Sequence, residues 1–176
     1  MAYNYTEMRF SIHPRGTRFV KAAAPIGARM PHIRPAAPDD LPAIIALDRE
    51  VTGLEKPEYW RDLYARYGGR GDERRCFLVA AIGGQVEGFV IGEVRAWEFG
   101  SPPCGWIFAI QVRPSCRLAG VGTRLFEAVR DRFRAAGVDR LRTMLARDNT
   151  VILSFFRSQG MMAGPFVELE MALDAQ

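Results

Sequence analysis

The apolar positions along residues 31–173 change period several times, and each change marks an element. His32-Ile33-Arg34-Pro35 reads as a short strand closed by proline. Pro38-Asp39-Asp40 then opens a helix, with proline in its first turn and acids at the positive end of the helix dipole. Leu41, Ile44, Ile45, Leu47 and Val51 follow at helical spacing. Pro57 begins a second helix, stopped by Gly68-Gly69. The runs 76–82 and 86–97 are apolar and joined by Gly83-Gly84-Gln85, which predicts a hairpin. A third strand spans 105–112 and ends at Pro114. Val121, Leu125, Val129 and Phe133 share one face of a helix ended by Gly137. A strand over 138–145, a helix capped by Asp148-Asn149 and running through Phe156, and a last strand over 166–173 complete the series. Val167, Leu169 and Met171 alternate there with Glu168 and Glu170. The order predicts an α/β fold of the mixed α+β kind, a mostly antiparallel sheet flanked by helices.

Composition narrows the picture little. No run approaches the ~18 apolar residues of a membrane span. Three cysteines (Cys76, Cys104, Cys116) and two histidines lack the spacing of a disulfide framework or a zinc site, so no metal is expected and a reducing, cytoplasmic location is. The net charge of +4 is unevenly spread. Residues 1–35 hold six cations against one acid, and the remainder holds 18 against 19. Residues 1–30 are therefore read as an irregular basic leader, expected to be disordered, ahead of one domain over 31–176. Such a leader also offers the reading of a nucleic-acid-associated protein, with salt-dependent binding lost on its deletion.

The stretch with chemical content is the strand–loop–helix junction around Arg117-Leu118-Ala119-Gly120-Val121-Gly122-Thr123. Glycines at 120 and 122 let backbone approach a ligand, and a helix N-terminus presents amides with partial positive charge. Arg113, Arg117 and Arg124 add cations, so the loop suits phosphates. The same pattern also occurs as a plain tight turn.

This segment resembles the GNAT family of N-acyltransferases, whose signature is Arg or Gln, two residues, Gly, any residue, then Gly or Ala, after a strand ending in Val-x-Pro. Here the match is Val112-Arg113-Pro114 followed by Arg117-x-x-Gly120-x-Gly122. A second block matches at Asn149-Thr150-Val151-Ile152-Leu153-Ser154-Phe155-Phe156, with Gly160 beyond it. The resemblance covers about residues 31–173 and implies a three-layer fold in which the strand ending at Val112 splays from the parallel strand that follows. It implies acetyl-CoA, or another acyl-CoA, as co-substrate in that gap. Pantetheine would pair with backbone near Ile110, Gln111 and Val112. Pyrophosphate would sit on the amides of Leu118, Ala119, Gly120, Val121, Gly122 and Thr123, beside Arg117. Asn149 matches a cofactor-contacting position, though it also reads as a plain helix cap.

Acyl transfer requires a neutral amine. An ammonium of pKa ~10.4 is about one part in two thousand neutral at pH 7, a penalty of roughly 4–5 kcal/mol, so a general base is expected. No acid lies on 105–112 or 141–147. Glu93 and Glu98 are the nearest carboxylates in sequence and the candidate catalytic bases; Glu93 otherwise reads as a partner for Arg95. A hairpin turning about 99–104 would set Glu93 beside Ile110 and Trp97 beside Trp106. The tyrosine with which many relatives protonate the leaving thiolate is here Phe156, at the cofactor side of the second block, so the acid is unassigned.

The expected activity is N-acetyl transfer from acyl-CoA to a primary amine of a protein or small molecule, by direct attack in a ternary complex. The alternative is a catalytically weak acyl-CoA-binding sensor or partner subunit with the same fold. No membrane partner is expected, nucleic acid is the minor alternative, and a homodimer through a sheet edge or the last strand is open. The acceptor is not legible.

Overall fold

The computed structural model describes residues 30–69 and 72–173, so the basic leader, apart from Met30, lies outside the described residues. The chain divides into two compact units, one ending at Thr143 and one beginning at Met144.

The first unit is built on a five-stranded sheet in the order β1-β2-β3-β4-β5. β1 (His32–Pro35), β2 (Arg75–Ile82), β3 (Gln85–Arg95) and β4 (Cys104–Val112) are antiparallel neighbours, and β5 (Leu141–Thr143) lies parallel to β4. α1 (Leu41–Thr52) and α2 (Pro57–Tyr67) cover one face, and their Ile44, Leu47, Trp60 and Leu63 form a core with Phe77, Val79, Phe89 and Ile91 of the sheet. α3 (Val121–Ala135) covers the other with Val121, Leu125, Val129 and Phe133, all buried. Three sheet glycines admit that helix. A Cβ on Gly105 would stand 2.5 Å from the Phe133 ring, one on Gly92 3.0 Å from it, and one on Gly88 within 3.2 Å of Leu125 and Val121. The glycine faces let a phenylalanine seat where any larger sheet residue would push the helix off.

β1 is tied to α1 by charge. Arg34 donates to both oxygens of Asp40, at 2.6 and 2.7 Å, and the Ala37 amide donates to Asp40 Oδ2 at 2.8 Å. One carboxylate thus caps the helical start and pins the preceding strand.

Three expectations change. β5 is three residues rather than the run 138–145, and the ladder to β4 stops with it. Residues 166–173, in the second unit, form no strand, and Val167, Leu169, Met171 and Leu173 are all exposed. Alternation describes a surface able to join a ladder, and none of the described strands pairs with it. The hairpin register also differs. β3 ends at Arg95 opposite Cys104, and Glu93 faces Trp106 rather than Ile110. Trp97 lies beyond the strand in a left-handed conformation (φ 64°), so it is not opposite Trp106. A bulge then shifts the pairing: Gly92 faces Ile107 but Ile91 faces Ala109, leaving Phe108 as the extra residue. The second unit contains α4 (Thr150–Ser158), close to the predicted helix.

The Arg34 guanidinium holds the Asp40 carboxyl below its usual range, ahead of the opposing effect of burial. A depressed folded pKa means that this stabilisation is full above the unfolded value of ~3.9 and is lost as pH falls through the folded one. Asp40→Asn is expected to lower unfolding free energy by about 1.5–3 kcal/mol at pH 7. In urea titrations the gap to wild type should close at acid pH; a pH-independent gap would mean that the charge contributes nothing.

Candidate functional site

β4 has two different edges. Toward β3 it is paired from Cys104 to Val112, apart from the bulged Phe108. Toward β5 it is paired only at Gly105, Trp106 and Ile107, against Leu141, Arg142 and Thr143. From Phe108 to Val112 no described strand covers that edge, which brings Ile110, Gln111 and Val112 together as an open run of backbone. Backbone donors and acceptors left this way are a ready template for an extended, amide-containing ligand.

The open edge runs into the predicted loop. Pro114–Ala119 form a 3-10 turn, Gly120 adopts a left-handed conformation (φ 74°), and α3 begins at Val121. Gly120 is the N-cap residue and supplies no side-chain acceptor to the helix. The first-turn amides of an α-helix have no intrahelical partners, so Val121 and Gly122 belong to a positively polarised end with no cap of its own. A Cβ placed on Gly120 would meet nothing within 4 Å, so the space over the loop is open. Arg117 and Arg124 are exposed nearby in the chain, and Thr123 lies in the first turn of the helix. Arg113 is differently placed. It bonds Glu87 at 2.6 Å and pairs with Glu50, so its charge is spent inside the fold. The thiol of Cys116 lies 3.6 Å from the same Glu87 carboxylate. Burial pushes the Cys76 thiol up to about 11, as befits an inert core cysteine.

On the α1–α2 face, a second cluster stands beside the bulge. Glu93 is largely buried, and both its oxygens are engaged: Oε1 accepts from Arg95 Nε at 2.9 Å and Oε2 from the Tyr67 hydroxyl at 3.2 Å. The Tyr67 ring lies 5.0 Å from that of Phe108, the bulged residue, and Phe108 itself is exposed. Burial first, then the neighbouring Glu93 charge, raise the Tyr67 pKa and keep its hydroxyl protonated. The Arg95 guanidinium lies over the Trp106 ring, 5.2 Å from its centroid, and the Trp106 indole N–H is buried without a partner among the described residues. Glu98 is exposed and reaches Arg95 only at 3.8 Å. Of the two predicted carboxylates, then, Glu93 lies within this cluster and Glu98 at its exposed margin.

Sequence reasoning missed Asp48. It is 1% exposed, yet accepts from Trp60 Nε1 at 2.9 Å, Gln111 Nε2 at 3.0 Å and Lys56 Nζ at 3.0 Å. It therefore joins α1, α2 and the segment between them to β4 at the open run. An aspartate on the inward stripe between Leu47 and Val51 was the available signal, since such a charge is buried only when paired. Asn149, in the second unit, caps α4 by accepting from the Ile152 amide at 3.2 Å, and Phe156 is buried with its ring 5.2 Å from that of Phe155.

Comparison with known proteins sets this geometry in a class. Residues 41–161 match the model of the acetyltransferase (GNAT) family, and the chain belongs to that family. Its members are acyl-CoA-dependent transferases whose acyl donor is acetyl-CoA. A curated relative, the L-2,4-diaminobutyric acid acetyltransferase of Nocardia farcinica (strain IFM 10152), is 31% identical over 98 residues. That match takes in 56% of this chain and 49% of the relative, so it spans about half the relative's length. Among solved structures, the aminoglycoside N-acetyltransferase AAC(6')-Iy in complex with CoA superposes with a TM-score of 0.73 at 19% identity, over 86% of this chain and 99% of that one. The apo aminoglycoside 6'-N-acetyltransferase AAC(6')-IG of Acinetobacter haemolyticus gives 0.67 at 19% identity, over 81% and 99%. These two likenesses establish the fold. Among the described residues, no helix is long and apolar enough to cross a membrane.

Gly120→Trp places a bulky side chain on a left-handed residue at the open face of the loop. The backbone strain is about 1–2 kcal/mol, which the fold should survive. Calorimetric titration with acetyl-CoA should show affinity weakened by at least about tenfold, or 1.4 kcal/mol. Unchanged affinity would remove the loop from the binding site.

Proposed function

We propose that this protein transfers the acetyl group of acetyl-CoA to a primary amine of a small molecule by direct attack in a ternary complex. One observation carries the reading: the open backbone of β4 over 108–112 leads directly into a helix start with no cap of its own. The first offers partners to the amides of pantetheine. The second, with Arg117, receives pyrophosphate on the amides of residues 118–123. An unpaired N–H of the same edge meets the thioester oxygen as negative charge develops on it.

The acceptor approaches from the α1–α2 face, over Tyr67, Trp106 and Phe108. Glu93 is the base on which the amine's proton ends, and Glu98 at the rim takes no direct part. The relative that acts on L-2,4-diaminobutyric acid supports a small diamine-type acceptor.

Titration of the full chain with acetyl-CoA should give micromolar binding. A thiol-release screen with L-2,4-diaminobutyrate, spermidine and an aminoglycoside should give acceptor-dependent CoA. Glu93→Gln should lower turnover by about 10²-fold or more with acetyl-CoA affinity retained, and the loss should be deepest at low pH, where neutral amine is scarcest. Binding without release from any amine would instead support the sensor reading; absence of binding would refute both.

A further inference from the structure

Glu93 is poorly arranged to meet an amine by itself. Its carboxylate is largely buried, Oε1 is held by Arg95, and Oε2 is held by the Tyr67 hydroxyl. Tyr67, at the last position of α2, is partly buried as well, but its ring packs on the exposed Phe108, the residue expelled from register by the β4 bulge. That bulge lies at the point where the ladder to β5 ends and the open edge begins. Tyr67 thus touches both the buried carboxylate, through its hydroxyl, and Phe108 at the start of the open edge, through its ring. It donates its only hydrogen to Glu93, which leaves its lone pairs for a donor arriving from outside.

We propose that Tyr67 is a catalytic residue, the relay through which the acceptor amine delivers its proton to Glu93. The inference rests on the acetyltransferase reading given above. An N–H bond of the acceptor ammonium breaks and its proton passes to the Tyr67 oxygen, while the original phenol proton passes to Glu93 Oε2. The freed nitrogen lone pair attacks the thioester carbon. The C–N bond forms, the C–S bond breaks, and sulfur leaves with the bonding pair. The second proton, shed by nitrogen once it is acylated, goes to that sulfur and yields CoA thiol. Glu93 then returns its proton to solvent through the same hydroxyl.

The charged groups facing Tyr67 are Glu93 and Arg95 from β3, Arg75 from β2 and Arg66 from its own helix; both Arg66 and Arg75 lie 5.8 Å from the ring centroid. The phenol donates to Glu93 while these cations surround it, and burial with the Glu93 charge keeps it from ionising at neutral pH.

Tyr67→Phe retains the ring packing and removes only the hydroxyl. With the amine that releases CoA fastest in the screen, kcat/KM for the acceptor should fall by about 10²-fold at pH 7. Acetyl-CoA affinity, by calorimetry, and Tm should stay near wild type. The deficit should shrink as pH rises toward the amine's own pKa, because solution then supplies neutral amine. Tyr67→Phe combined with Glu93→Gln should be no slower than either alone, since one path is already cut. Wild-type rate in Tyr67→Phe with Glu93→Gln still impaired would overturn the relay and leave Glu93 as a direct base. Multiplying losses in the double variant, or a pH-independent deficit, would reduce Tyr67 to a structural part. No turnover by wild type with any amine would overturn the relay together with the reading beneath it.

Discussion

Everything specific to this protein follows from a ladder that stops early. A strand inside a sheet ordinarily satisfies its backbone on both edges, because unpaired amides and carbonyls away from water are costly. β4 does so only as far as Ile107; β5 is three residues long and its pairing ends at Thr143. Of the remaining five residues of β4, all but the bulged Phe108 keep one edge paired to β3, and no described strand takes up the other. In the function proposed above, the site is a missing strand, and a preference for an extended amide-bearing ligand would come from backbone geometry, with side chains adding orientation.

Such an edge is useful only if it is rigid, and the two faces of the sheet secure it differently. On the α3 face the fit is steric: Gly105 and Gly92 leave room for Phe133, and Gly88 for Leu125 and Val121. That packing holds the first turn of α3, which follows the left-handed Gly120. On the opposite face the fit is polar. Asp48 gathers a lysine, an indole and the Gln111 amide into one buried cluster, so the α1–α2 wall moves with β4 rather than over it. A half-satisfied cluster of this kind would be a liability, and the Gln111 Oε1 atom is the one group in it that lacks a partner among the described residues.

The elements and the glycine loop were legible in the sequence because they depend on local rules. Period, proline at helix starts and glycine at left-handed positions each act within a few residues, and they place α1 to α4 and β1 to β4 closely. What was not legible depends on pairing between distant residues. The hairpin turns earlier than the sequence suggests, with Arg95 already opposite Cys104, and that moves Glu93 from Ile110 to Trp106; the bulge at Phe108, which has no local mark either, displaces the register by one residue beyond it. Arg113 looks like a phosphate cation in the sequence, but Glu87 and Glu50, both remote along the chain, take its charge. Residues 166–173 carry a strand's alternation, yet no strand forms there among the described residues. Tyr67 reads in the sequence only as part of the second helix, because nothing there places it beside a carboxylate 26 residues away.

The electrostatics of the acceptor face bear on how an amine becomes a nucleophile. A purely acidic pocket would attract an ammonium strongly, but it would also stabilise the charged form and so raise the barrier to losing a proton. Around Tyr67 each cation is matched instead: Arg66 with Asp62, Arg75 with Asp72, Arg95 with Glu93 and Glu98. A wall of matched pairs neither repels the acceptor nor rewards its charge, and the aromatic surfaces of Tyr67, Trp106 and Phe108 displace water from it. Desolvation without a compensating anion lowers an amine's pKa, and each unit removes about 1.4 kcal/mol from the cost of deprotonation. Set against the roughly 4–5 kcal/mol that a free ammonium must overcome at pH 7, two such units would do more than half the work. The arginines on this face then bear on the chemistry through what they withhold: by engaging the carboxylates they deny an arriving ammonium a strong resting place.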